Sequence, residues 1–200
     1  MKKTFLSLSA VLLMTGLSEL EIDNSYRIVI SDKKEVQDVF AANELAGYLE
    51  KVSGKKYIIV TESDRSAAKA IYVGNTIPAA KAGKFVPDEF RIFVSGSDII
   101  IAGSPERGVL FGVYEFLERF AGVRFFTPEC ERIPSKKVLK VPDDLNIQHK
   151  SAFEFRFIYG GKRAGNRTGF FRKMRLSGWN GGMDHGSSAR FGTDGHCHTY

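Results

Sequence analysis

Cysteine is nearly absent: Cys130 and Cys197 are the only two in 200 residues. An exported chain can pair them, but their separation in sequence says nothing about their distance in space. No basic run interleaved with aromatics occurs, and the basic residues behind the net charge of +6 are spread along the chain. That argues against a nucleic-acid partner. The one early apolar stretch, residues 4–17, is too short to span a bilayer comfortably. The spacing Gly103 to Gly108 matches the G-x-x-x-x-G of a phosphate loop, but Val109 and Leu110 stand where Lys and Ser/Thr belong. The phosphate lysine and the magnesium hydroxyl are both missing, so a plain strand-to-helix turn is the reading. No cofactor motif remains.

What is present suits a globular chain. Apolar residues make up 43% and aromatics 12%, too much for a disordered segment. The length allows one domain with a real core and part of a second.

The organising stretch runs from Asp98 to Pro128. Ile99, Ile100 and Ile101 predict a short buried strand. Ser104 stands at a helix N-cap, Pro105 at the first helical position, and Glu106 near the positive helix end. Val109, Leu110, Val113, Tyr114, Leu117 and Phe120 form one apolar face, and Gly122 is a stop. Gly108 and Gly112 share a face and allow close approach to a sheet.

Upstream, residues 25–30 predict a strand, and Asp32 with Glu35 resembles a capping box. The stripe Val39, Ala42, Leu45, Ala46, Leu49 and Val52 predicts a helix ended by Gly54. Strands are predicted at 57–60 and 70–73, and a loop or short helix at 79–85. A hairpin is predicted between 89–94 and 98–102. This pattern predicts an α+β fold with two helices on one face of a mainly antiparallel sheet, over residues 19–127. Pro128, Pro134 and Pro142 mark residues 128–150 as a connecting segment, with an edge strand at 138–141. Residues 152–158 alternate and predict the first strand of a new unit, 151–200. Glycine is frequent after residue 160, and every histidine except His149 lies there.

Lys2 and Lys3 precede the apolar stretch, and Gly16 and Ser18 are small residues two apart. These features predict a signal peptide over residues 1–18, cleaved before Glu19, and a secreted or periplasmic protein. Loss of the two lysines lowers the net charge from +6 to +4. The alternative is a buried N-terminal helix. No cysteine follows the run, so a lipid anchor is not supported, and no membrane span remains after cleavage.

Three segments carry a family likeness: AANELAGYLEKVSGKKY (41–57), IAGSPERGVLFGVYEFLERFAGVRFFTP (101–128) and SAFEFRF (151–157). They resemble the N-terminal domain of bacterial α-glucuronidases of glycoside hydrolase family 67, and the small domain before the barrel in family 20 hexosaminidases. The tail, 180–200, resembles uncharacterised bacterial proteins in which such a domain precedes one of unknown function. The resemblance implies a non-catalytic domain packed against a (β/α)8 barrel that holds the active site. A barrel needs roughly 250 residues, and fewer than 50 follow Ser151. The expectation is thus a truncated barrel start and a non-catalytic fragment of an exported glycoside hydrolase acting on polysaccharide. A non-catalytic glycan-binding protein and a structural accessory domain are the alternatives. Glu129 and Glu131 read as solvated loop residues rather than a catalytic pair.

The substrate-binding candidates are Arg156, Trp179, His196 and His198. Arg156 falls on the expected first barrel strand, where a guanidinium fork suits sugar hydroxyls or a uronic carboxylate. The alternative is an ion pair with Glu154 or another group. Trp179, set among glycines, either stacks on a sugar ring or plugs the barrel mouth. His196 and His198 are read as polar substrate contacts. Their H-x-H spacing, with Asp194 and Cys197 near, also suits a metal, but family 67 likeness implies none.

Overall fold

The structure is a computed structural model and describes residues 18–66, 69–153, 156 and 168–176. Its centre is a six-stranded sheet. In chain order the strands are β1 (Glu19–Ile22), β2 (Arg27–Ile30), β3 (Ile58–Thr61), β4 (Ala70–Val73), β5 (Phe90–Ser95), β6 (Asp98–Gly103), β7 (Arg124–Thr127), β8 (Cys130–Arg132), β9 (Leu139–Pro142) and β10 (Asn146–His149). The helices are α1 (Val36–Ser53), α2 (Gly108–Phe116) and α3 (Thr168–Lys173), with a 3-10 helix at Pro78–Ala82 and a π-helical turn at Leu117–Ala121.

The central sheet runs β10-β5-β6-β4-β2-β3. The pairs β2–β3, β2–β4 and β4–β6 are parallel, while β5–β6 and β10–β5 are antiparallel. The fold is mixed α/β, consistent with an α+β class, but the expected mainly antiparallel pairing is corrected. The cause is α1: a helix between two strands of one sheet returns the chain to its starting end, so β2 and β3 run the same way. Furthermore, β3 and β4 do not pair with each other but flank β2.

Alternation along the strands divides the core. Ile28, Ile30, Ile71, Val73, Phe90, Ile92, Ile99 and Ile101 face α1 and α2. Val29, Ala70, Tyr72, Phe93, Ile100 and Ala102 face the opposite side, where Ala79, Ala82 and Phe85 cover them. Both long helices therefore lie on one face, as their single stripes predict. The β5–β6 hairpin turns through Gly96-Ser97, with Gly96 at φ +66°.

Two caps differ from expectation. Asp32 does not cap α1; its carboxylate accepts the Ser63 N–H at 3.0 Å, and Glu35 precedes the helix without a side-chain cap. Gly54 does end α1, at φ +71°. The second helix begins at Gly108 rather than Pro105, because residues 105–107 form a turn. Ser104 still serves the helix, since its Oγ accepts the Gly108 N–H at 3.2 Å. Glycine is required here by packing: a Cβ on Gly108 would lie 2.2 Å from the Glu89 carbonyl oxygen, and one on Gly103 would lie 2.5 Å from the Gly108 carbonyl carbon. The phosphate-loop spacing is thus a backbone-on-backbone contact. A Cβ on Gly112 would meet Ile101 Cγ2 at 2.9 Å, so this glycine lets α2 sit close on the sheet.

Residues 128–150, expected to connect two units, are built into the first. β8 pairs with β7, β9 pairs antiparallel with β1, and β10 forms an edge of the central sheet. Leu139, Val141 and Leu145 reach the core. After residue 150, the described residues of the expected strand at 152–158 carry no strand, and the described residues beyond it are α3 and the turn that follows it. The remainder of the expected barrel start lies outside the described residues.

Candidate functional site

The C-terminal end of β6, the start of α2 and the loop before β5 meet in a buried polar cluster. Its centre is Asp88, 4% exposed, at φ +65°. Asp and Asn tolerate this left-handed conformation better than most residues. The Asp88 N–H donates to Ser104 Oγ at 3.0 Å. The Ser104 N–H in turn donates to the Glu89 carbonyl at 2.9 Å. The hydroxyl directly after β6 therefore fixes the loop that carries Asp88.

Two arginines converge on that carboxylate. Arg107, 3% exposed, donates from Nε to Asp88 Oδ1 at 2.7 Å. Arg156 donates from Nη2 to Asp88 Oδ2 at 3.1 Å. Arg156 also donates from Nη1 to the Phe153 carbonyl at 2.6 Å and to Ser151 Oγ, and from Nε to the Arg175 carbonyl at 3.1 Å. Its guanidinium lies 5.9 Å from the centre of the Phe111 ring. Buried or half-buried charges persist when paired and hydrogen-bonded in this way.

Beside the cluster, Glu89 closes its own turn. It accepts the Val86 N–H at 2.8 Å and Gln148 Nε2, from β10, at 2.9 Å. These bonds, Val86 first, hold its carboxyl below the usual glutamate range.

A second buried acid lies on α1. Asp38, 3% exposed, accepts the Asn75 N–H at 2.8 Å. Burial pushes its carboxyl up to about 6, against the opposing Asn75 bond and with a smaller push from Glu35. Such a value suits a general acid. Access excludes that role: a Cβ on Gly74, at φ +88°, would lie 2.0 Å from Asp38 Cγ, so the carboxyl is wedged against the backbone after β4. Asp38 ties α1 to that turn.

Of the predicted site residues, only Arg156 is among those described, and it is drawn to Asp88 and Arg107. Trp179, His196 and His198 lie outside the described residues, as does Glu154. Sequence reasoning missed Asp88 and Asp38. A buried aspartate has the same letter as a surface one, and nothing local marked either position. Glu131, read as solvated, is half-buried and accepts the Tyr48 hydroxyl at 2.7 Å.

No family model matches the chain. A curated relative, alpha-glucuronidase A of Emericella nidulans, is 32% identical over 116 residues, which is 54% of this chain and 14% of that protein. Two solved structures share the fold at low identity. N-acetyl-beta-hexosaminidase of Streptomyces plicatus matches at 13% identity and a TM-score of 0.54, over 81% of this chain and 31% of that one. The exo beta-N-acetylglucosaminidase of Vibrio harveyi matches at 12% identity and a TM-score of 0.51, over 80% and 22%. The chain therefore spans a small part of the proteins it is similar to: it is homologous in sequence to part of an alpha-glucuronidase and similar in fold to part of two hexosaminidases.

Proposed function

We propose that this chain is the N-terminal accessory unit of an exported carbohydrate-active protein related to the family 67 α-glucuronidases, and that the chain itself is non-catalytic. The observation that carries this reading is the 32% identity to an alpha-glucuronidase over 116 residues. The shared hexosaminidase fold is compatible with it but assigns no substrate, because sites rather than folds carry function. The carboxylates of the Asp88 cluster and of the helix layer support the non-catalytic part. Asp88, Glu115, Glu118 and Glu131 each engage a cation, and Glu89 is occupied by its own turn and Gln148. The proposed unit is followed by a barrel that supplies the chemistry.

Export rests on the Lys2-Lys3 start and the apolar run. The position of β1 supports it, since the strand starts at Glu19 and cleavage before that residue leaves every described strand whole. N-terminal sequencing of protein from the producing cell is expected to read Glu19 first; an intact Met1 overturns export.

Within the whole protein, Arg156 is proposed to meet the substrate, a glycan bearing uronic acid. Its position supports this: Arg156 keeps 21% of its side chain exposed beside the buried Asp88–Arg107 pair. Lysine cannot copy the planar, fixed donor set of a guanidinium. In a longer polypeptide carrying the barrel, Arg156→Lys is expected to weaken binding of a glucuronic-acid-bearing oligosaccharide by about 1.5–3 kcal/mol, with the melting temperature within a few degrees. Unchanged affinity with a large loss of stability makes Arg156 a structural anchor only. Calorimetric titration and a thermal melt on one preparation distinguish the two.

A further inference from the structure

The outer surface of the helix layer carries a second set of paired charges, remote in sequence from the Asp88 loop. α3 lies against it. Phe170 packs on the main core cluster. Arg172 lies over the Phe40 ring of α1, 5.3 Å from its centre. Lys173 sits 5.4 Å from the Tyr48 ring centre and 5.3 Å from that of Phe125, and its Nζ is 3.2 Å from Glu131 Oε2. Arg175 bridges Glu115 of α2 and Glu118 of the π-helical turn.

The receiving groups come from four different parts of the domain: α1, α2, its π-helical continuation and the β7–β8 hairpin. Tyr48 and Phe125 meet edge to face at 5.5 Å, and Phe125 meets Tyr114 in the same way at 5.6 Å. The Tyr48 hydroxyl bonds Glu131, and Lys51 lies 3.6 Å from the same carboxylate. Both aromatic walls and the acid of the lysine pocket are thus held by contacts within residues 18–149. An ammonium between aromatic faces and beside a carboxylate gains from both.

The helix that fills these pockets is six residues long. A helix of that length is far below what holds together alone in water, because one or two hydrogen-bonded turns do not offset nucleation. We propose that the surface formed by Phe40, Tyr48, Glu115, Glu118, Phe125 and Glu131 is a docking site for a basic helix, that residues 168–176 of this chain are its occupant, and that docking is what folds them. Charge complementarity identifies the occupant: three cations in four residues meet three carboxylates and three rings.

Amide hydrogen exchange on the full 200-residue chain tests this. The N–H groups of Met174, Arg175 and Leu176 donate to the carbonyls of Phe170, Arg172 and Phe171. In Glu115→Gln/Glu118→Gln, and in the unaltered chain at about 1 M salt, where the Debye length falls to ~3 Å, these amides are expected to exchange at least about tenfold faster. Protection in α1 and β6 is expected to stay unchanged. Arg175→Glu is expected to free the helix in the same way, and Arg175→Glu with Glu118→Lys to restore protection. Unchanged α3 exchange in the double Gln variant overturns the proposal. So does loss of α3 and core protection together, or failure of the charge swap to rescue.

Discussion

Asp88→Asn is expected to lower the free energy of unfolding by about 3–5 kcal/mol, the cost of leaving one member of a buried pair without its partner. Asparagine is the right substitution because it tolerates the φ of +65° at this position and keeps the side-chain shape. What it removes is the charge opposite Arg107, which is 3% exposed and cannot recover its loss in water. The effect on the melting temperature is expected to be about 10 °C, at ~2–4 °C per kcal/mol for a chain of this size. A urea midpoint that moves by the equivalent of less than about 1 kcal/mol contradicts a buried Asp88–Arg107 pair, since changes that small are typical of surface sites. Replacing both residues by apolar ones of similar volume is expected to recover much of the loss, which separates the charge effect from packing.

Leu117→Ala carries the second large effect. Leu117 is fully buried at the junction between α2 and the π-helical turn. Its carbonyl accepts the N–H of Gly122 and, at 3.2 Å, that of Val123, so the backbone around it closes the helix. Alanine keeps those bonds and removes the side chain from the core, at an expected cost of about 2–5 kcal/mol. Val36→Ala, at a site 60% exposed in the first turn of α1, is the control and is expected to stay within about 0.5 kcal/mol. Equal denaturant midpoints for the two variants contradict the placement of the α2 face.

The two long helices were legible because each spells its buried face locally. The stripe through Leu45, Leu49 and Val52 and the stop at Gly54 need no knowledge of the rest of the chain. Ser95-Gly96-Ser97 between two apolar runs identified the hairpin in the same way. Sheet order was not legible. β2, β3 and β4 are four residues each and almost wholly apolar, so nothing local tells an antiparallel neighbour from a parallel one. The choice is made by the α1 crossover and by β2 lying between β3 and β4. Prolines and charges gave residues 128–150 the look of a linker: β9 was legible as an edge strand at 138–141, whereas β10 was not. Their pairing with β1 and β5 joins residues more than fifty positions apart in sequence, a long-range contact that composition does not report. The Asp88 cluster was hidden for a related reason: its charged members lie at positions 88, 107 and 156 and meet only in the fold. The sequence placed Arg156 on an expected barrel strand, but the acid that receives it belongs to a loop 68 residues earlier.

In the proposed function the chain supports carbohydrate chemistry without performing it. Glycosidic cleavage usually takes two carboxyl groups about 5–9.5 Å apart on either side of the scissile bond. Here the carboxylates of the Asp88 cluster and of the α3 surface are engaged by arginine, lysine, tyrosine or backbone groups, and Asp38 is sealed against Gly74. The most direct measurement is turnover of 4-nitrophenyl α-D-glucuronide by the purified 200-residue chain, against a mock purification from the same host. The account predicts a rate equal to that background. Hydrolysis above it, copurifying with the chain, would contradict the account.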